Sequence, residues 1–408
     1  MTPKSQFVQH HQSDTAMGVY IHVPFCQARC AYCDFNTYAG LNDVIPFYVS
    51  ALCREIERAG ERWRSRAVDT VYFGGGTPSI LSLESLDALF QALHAAFQLL
   101  PRAEITLEAN PGTITSDDLR GLKALGINRL SLGVQSAHED ELRLLGRIHT
   151  WEESVATLQA ARASGFDNIN MDFIFGLPGQ SKTRWRETLD AALSLAPDHL
   201  SLYALTLEEE TPLARQIDRG DYAAPDDDWA AEMYELAQEK LAEAGFIHYE
   251  ISNWAKSPPA SSLSRVASEM TVHQSPHVCR HNLHYWRNEP WLGLGAGAHS
   301  WLDGKRWANV RHPQAYVDAL DQDISLVAEE AHVDRQRQME ETMMLGLRLI
   351  EGIDDQRFHA RFGCHLVATF GEEIEKLSRQ NLITWDGRTV ELTARGRLLG
   401  NLVFMQFV

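Results

Sequence analysis

Val19-Tyr20-Ile21-His22-Val23-Pro24-Phe25-Cys26-Gln27-Ala28-Arg29-Cys30-Ala31-Tyr32-Cys33 joins an apolar, strand-like run to three cysteines spaced four and three residues apart. A tetrahedral zinc site wants four ligands, usually drawn from two CxxC pairs. Here there are three thiols and no second pair. A [4Fe–4S] cluster held by three cysteines keeps one iron without a protein ligand, open to something else. Zinc completed by His22, or three buried structural cysteines, are the other readings of the same spacing.

Working outward, strand-like runs alternate with amphipathic helical segments from residue 17 to about 250. Strands are predicted over 19–23, 69–73, 104–109, 129–135, 169–176 and 199–206. Helices are predicted over 43–60, over 82–97 with Ser82 as N-cap, and over 227–244. The mixed apolar run at 169–176 suits a strand buried on both faces. Strand, loop, helix in repetition implies parallel strands with right-handed crossovers. Six such units fall short of the eight of a closed barrel. The fold class is therefore α/β, an open partial (β/α)6 barrel over 17–250. A region over 251–332 carries a Ser- and Pro-rich loop (256–278), and a smaller α+β part over 333–408 ends like a winged helix. Residues 1–16 are polar, without an apolar signal-type segment, and read as a flexible tail.

The 408 residues carry a formal charge of −18, which argues against general binding to a nucleic acid backbone. No run of about eighteen apolar residues is present to span a membrane, though peripheral contact stays open. Six cysteines, three of them clustered, do not form a disulfide framework, and point to a reducing cytoplasm. Cys53 and Cys364 read as small buried hydrophobes. Cys279 is open.

In a parallel sheet, ligands collect at the carboxyl ends of strands. Gly74-Gly75-Gly76-Thr77 closes the second strand, either as a tight turn or as backbone that a ligand approaches closely. Glu108 ends the third strand, placed to hydrogen-bond a ligand there, and Gln135 ends the fourth. Asp172 lies in an apolar strand and needs a partner if buried, either a ligand or a salt bridge to Arg147. Further on, His281-Asn282-Leu283-His284-Tyr285-Trp286 sets two histidines beside two aromatics. A lone histidine there is either a satisfied core or surface residue or a ligand, and His284 competes with His281 for the second role. His273 and His277, in the long loop, are either solvated or additional ligand or metal contacts.

Tyr20-Ile21-His22-Val23-Pro24-Phe25-Cys26, Gly75-Gly76-Thr77-Pro78, Gly133-Val134-Gln135-Ser136 and Asp172-Phe173-Ile174-Phe175-Gly176-Leu177-Pro178-Gly179 together resemble the coproporphyrinogen III dehydrogenase-like radical S-adenosylmethionine (SAM) family. The resemblance runs from about residue 17 to the C-terminus. It implies a radical SAM barrel in which Cys26, Cys30 and Cys33 ligate the cluster. Tyr20, Gly75 and Glu108 would contact SAM bound at the open iron. Tyr32, Gly76, Thr77, Gln135, Arg147 and Asp172 match positions lining the same cavity.

Two features divide this family. Its porphyrinogen-oxidising members carry a further cysteine two residues after the third, where this chain has Phe35. The HNxxYW motif at 281–286 resembles that of the family's haem-chaperone branch, implying haem contacts at His281, Asn282, Tyr285 and Trp286. The first expectation is thus a haem-binding protein, monomeric or haem-linked as a dimer. It would keep SAM and the cluster and pass haem to apo-haemoproteins such as respiratory enzymes. The alternative is oxygen-independent decarboxylation of coproporphyrinogen III, which the SAM-contact set keeps open.

Overall fold

A computed structural model describes residues 16–257 and 275–408. The expectations for a flexible tail at 1–15, and for the loop at 258–274 with its His273, lie outside the described residues. The six strands of the alternation are present: β1 (Met17–Val23), β2 (Ala67–Gly75), β3 (Gln98–Ala109), β4 (Arg129–Gln135), β5 (Ile169–Phe175) and β6 (His199–Ala204). The chain then adds β7 (Phe246–Glu250), β8 (Asn253–Lys256), β9 (Trp291–Leu294), β10 (His299–Leu302), β11 (Lys305–Asn309) and β12 (Val327–His332). All twelve form one sheet in the order β12-β11-β10-β9-β1-β2-β3-β4-β5-β6-β8-β7. From β9 through β1 to β6 every neighbouring pair is parallel. Antiparallel strands close both edges.

Period-two alternation makes the sheet two-sided. On β1, Val19, Ile21 and Val23 face one way, and on β2 Val71 and Phe73 join them, all fully buried. That face packs on helices: Phe73 meets Phe90 at a ring-centroid distance of 5.4 Å. Phe90 sits on helix Leu83–Ala96, whose Leu86, Leu89, Phe90 and Leu93 recur at helical spacing and are all buried. Ser82 starts this helix as expected, its side chain accepting from the Ser85 amide at 3.1 Å. Burying each such side chain contributes about 1.5–3 kcal/mol. The opposite face carries Tyr20 and His22, Thr70 and Tyr72, Glu104, Thr106 and Glu108, Arg129 and Ser131, then Asn170 and Asp172. This inner wall of the partial barrel is polar and yet largely buried, which singles it out as the place to seek chemistry.

The C-terminal part has helices Arg335–Gly346, Asp355–Phe362 and Leu366–Arg379 and a three-stranded sheet. Its own core gathers Phe358, Phe362, Phe370, Ile374, Leu377 and Val390. These helices and the strands Ile383–Trp385 and Thr389–Leu392 agree with the expected α+β character, and Ile353–Asp354 pairs with Thr389–Leu392 as the third strand.

Candidate functional site

The cysteine loop leaves β1 at the carboxyl end of the sheet. Its first turn is pinned by a short parallel pairing of Phe25–Cys26 with Tyr38–Ala39. The Ala31 amide donates to Leu145 O (3.0 Å), and Ala31 O accepts from the Leu213 amide (2.9 Å). The glycine strap after β2 is tied to the same loop: the Gly76 amide donates to Val23 O and the Thr77 amide to Phe25 O, both at 2.8 Å. A Cβ on Gly76 would lie 2.5 Å from Phe25 O and 3.0 Å from the Cys26 sulfur. Only glycine fits, because backbone and thiol are in direct contact.

Cys26, Cys30, Cys33, Tyr32, Gly75, Gly76, Thr77, Glu108, Gln135, Arg147 and Asp172 all line one cavity of about 490 Å³. Each thiol has a polar neighbour. Thr77 Oγ1 donates to Cys26 Sγ at 3.5 Å, Arg147 Nη1 donates to Cys30 Sγ at 3.2 Å, and Thr37 Oγ1 lies 3.9 Å from Cys33 Sγ. Burial pushes the Cys26 and Cys33 thiols up, against the thiolate form that a metal centre would stabilise.

Glu108 sits at the middle of the strand-end groups. Its carboxylate accepts from Tyr72 OH (2.8 Å) and from the Gly75 amide (3.2 Å). Burial pushes it up to about 7. Asp172, also raised by burial, accepts from Ser131 Oγ (3.0 Å) and Asn170 Nδ2 (2.8 Å). Of the two partners open to Asp172, the Arg147 salt bridge does not form. Arg147 turns to Cys30, to Asn110 Oδ1 (2.5 Å) and to Gly133 O (2.8 Å), and short strand-side donors satisfy Asp172 instead. Gln135 ends β4 at φ 70°, a left-handed conformation that costs a non-glycine residue about 1–2 kcal/mol. Tyr20, expected at the same cavity, is not among the residues that line it, and its OH is bonded to His22 Nδ1 (3.0 Å). Sequence reasoning missed Asn110, which donates to Thr77 Oγ1 (2.9 Å) while accepting from Arg147. Its signal was a second polar residue just beyond Glu108 at the same strand end.

Among the described residues no group of three or more His, Cys, Asp or Glu side chains is gathered to hold a lone metal ion. His22, the proposed fourth zinc ligand, spends Nε2 on Asn36 O (3.0 Å) and Nδ1 on Tyr20. Three thiols around one cavity, with hydrogen-bond donors behind them, fit a cluster with one open iron. The acids Glu108 and Asp172 fit a ligand carrying positive charge, as the sulfonium and ammonium of SAM do.

The HNxxYW motif lies elsewhere. Its helix, Arg280–Trp286, closes the inner wall at the amino end of the strands. The amides of Arg280 and His281 donate to the buried Glu104 carboxylate, both at 3.1 Å, an anion at a helix start. His281 is 1% exposed. Its Nδ1 is bonded to Thr70 Oγ1 (2.8 Å) and its Nε2 to Tyr285 OH (2.9 Å). Its ring stacks on Tyr72 at 5.2 Å, and Tyr72 in turn holds Glu108. Burial keeps His281 neutral. His284 is paired with Asp69 (2.8 Å) and Glu289 (3.2 Å). Although burial opposes its charge, these two acids push it up to about 9. Against the expectation of an accessible haem ligand, both histidines are spoken for inside the protein. Asn282, Tyr285 and Trp286 are partly exposed. Cys279 is buried, its thiol 3.7 Å from Glu104. His277 is half-buried and held neutral by burial, the only one of the two loop histidines among the described residues.

Residues 20–192 match the family model of the radical SAM superfamily, and residues 333–399 that of the HemN C-terminal domain. A protein named heme chaperone HemW from Mycobacterium tuberculosis is 39% identical over 389 residues, covering 95% of this chain and 93% of its own. Proteins of the same name from Bacillus subtilis (35% over 392 residues; 96% and 99% covered) and Escherichia coli (32% over 406 residues; 96% and 98% covered) align equally fully. Among solved structures, coproporphyrinogen III oxidase (HemN) from Escherichia coli, titled a radical SAM enzyme, superposes with a TM-score of 0.81. It is 25% identical, with 96% of this chain and 90% of that one covered.

Proposed function

The chain belongs to the HemW family of radical SAM proteins, and from that premise we propose that it is a haem chaperone. It binds haem, keeps a SAM-ligated [4Fe–4S] cluster, and delivers haem to apo-haemoproteins, respiratory enzymes among them, in the cytoplasm. Cys26, Cys30 and Cys33 hold the cluster, whose open iron supplies a chelation point for the amino acid end of SAM. Gly75 and Gly76 present backbone to it, and Glu108 accepts from ribose hydroxyls. Arg147 and Thr77 donate to ligating sulfurs, while Asn110 keeps those two donors aligned.

The observation that carries the chaperone reading over porphyrinogen decarboxylation is Phe35. It stands where the oxidising members carry their further cysteine, and lies 65% exposed at the edge of the cysteine cavity. A phenyl ring can neither ligate metal nor move a proton. The six cysteines, all free, suit a reducing compartment, and no helix of the described residues is long and apolar enough to cross a membrane.

The test is a haem titration of anaerobically cluster-reconstituted protein followed by absorbance, beside an assay of coproporphyrinogen III turnover with SAM and a reductant. The reading expects near-stoichiometric haem uptake and no decarboxylation. Turnover without haem uptake reverses it.

A further inference from the structure

We infer that haem sits in the cleft between the barrel edge and the C-terminal part, held by its ring and propionates with no protein ligand to its iron. This rests on the haem reading above. The cleft, about 660 Å³, lies within the range of small-molecule pockets and exceeds the cysteine cavity. One wall is the end of the HNxxYW helix and strand β10; the other is helices Arg335–Gly346 and Asp355–Phe362.

Three observations point to a flat, apolar dianion. Trp286, the last residue of HNxxYW, lines the cleft, while His281 and His284 of the same motif are committed inside the protein. Trp286 carries a buried indole N–H that has no hydrogen-bond partner, and Trp301, Phe358 and Phe362 add aromatic edges. Four arginines (Arg66, Arg287, Arg357 and Arg361) and four carboxylates (Glu289, Asp303, Glu351 and Asp354) line the cleft. Each of these carboxylates has a cation beside it: Asp303 has Arg66, Glu351 has Arg287 (3.2 Å), Asp354 has Arg388 (2.9 Å), and Glu289 has His284 (3.2 Å), which Asp69 shares. Arg361, exposed on the C-terminal wall, donates only to the carbonyls of Arg287 (3.0 Å) and Asn288 (2.7 Å), so its charge meets no carboxylate at hydrogen-bond distance. Arginine suits a propionate. The cysteine cavity, by contrast, presents Glu108 and Asp172 and would repel the same groups.

None of the described residues lining the cleft is His, Cys, Met or Tyr. Held by its periphery, haem would keep its axial positions for an acceptor. That is what a carrier requires, since release then breaks no iron–protein bond.

The experiment compares haem, iron-free protoporphyrin IX and haem dimethyl ester by Trp fluorescence quenching on the full, cluster-loaded chain. Wild type is set beside Ala360→Trp, which narrows the cleft from an exposed helix position, and Arg361→Glu. Each variant should weaken haem binding by at least about tenfold, the loss of one charge-assisted contact or its space, with SAM affinity and iron content unchanged. Protoporphyrin should bind within about threefold of haem, and the ester about tenfold more weakly. Haem binding unchanged in both variants, or a requirement for iron, overturns the inference while leaving the chaperone reading standing. No haem uptake by wild type overturns both.

Discussion

Replacing His284 with glutamine should remove a pH-dependent share of stability. The imidazole is 5% exposed and held between Asp69 at 2.8 Å and Glu289 at 3.2 Å, which push it up from 6.5 to about 9. A group whose pKa rises on folding contributes stability that is complete below its unfolded value, here about 6.5, and is lost as pH climbs through about 9. The rise of about 2.5 (9 − 6.5) corresponds to on the order of 3 kcal/mol. Urea unfolding of wild type and His284→Gln, read at pH 6, 8 and 10, gives the difference directly. The gap should be widest at pH 6 and narrow by on the order of 3 kcal/mol by pH 10. A gap that stays constant with pH would mean that the histidine is not charged in the folded protein, and the argument that an ion pair docks the HNxxYW helix would fail.

Gly76→Ala should abolish cluster assembly, because its Cβ would press on Phe25 O and the Cys26 sulfur; iron and sulfide content after reconstitution reads this. Glu108, pushed up to about 7 by burial, is largely protonated below that pH, so SAM affinity should rise from pH 6 to 8. Glu108→Gln should bind SAM weakly at every pH, as calorimetry across that range would report. Arg147→Gln removes a cationic donor 3.2 Å from Cys30 Sγ, so the cluster's midpoint potential should shift negative. Leu89→Ala, deep in the helix–sheet core, should cost about 2–5 kcal/mol of stability while leaving SAM affinity alone.

The cysteine loop, the glycine strap and Glu108 were legible because each combines a local pattern with a strand end, and strand ends are where a parallel sheet collects ligands. β9 was not. Trp291–Leu294 is four residues long and runs into glycines, too short and interrupted to carry a strand pattern, yet it pairs in parallel with β1 across more than 270 residues of chain. No local signal encodes such a pairing. The HNxxYW motif shows a different limit. His281 and Tyr285 stand four apart, the spacing of one helix face, and they bond each other. The sequence shows the residue types but not which way that face points, and here it points inward onto Thr70 and Tyr72. Arg147 was likewise legible as a residue of this cavity but its partners were not, since a long side chain reaches several acceptors and only the fold selects among them.

Transfer of haem from the loaded chain to an apo-haemoprotein is the measurement closest to the central claim. The two would be mixed anaerobically and separated, with the acceptor's spectrum and activity followed. The acceptor should gain haem faster from this chain than from free haem at the same concentration, and the donor should lose it in step. An acceptor that stays empty while this chain converts coproporphyrinogen III would contradict that claim.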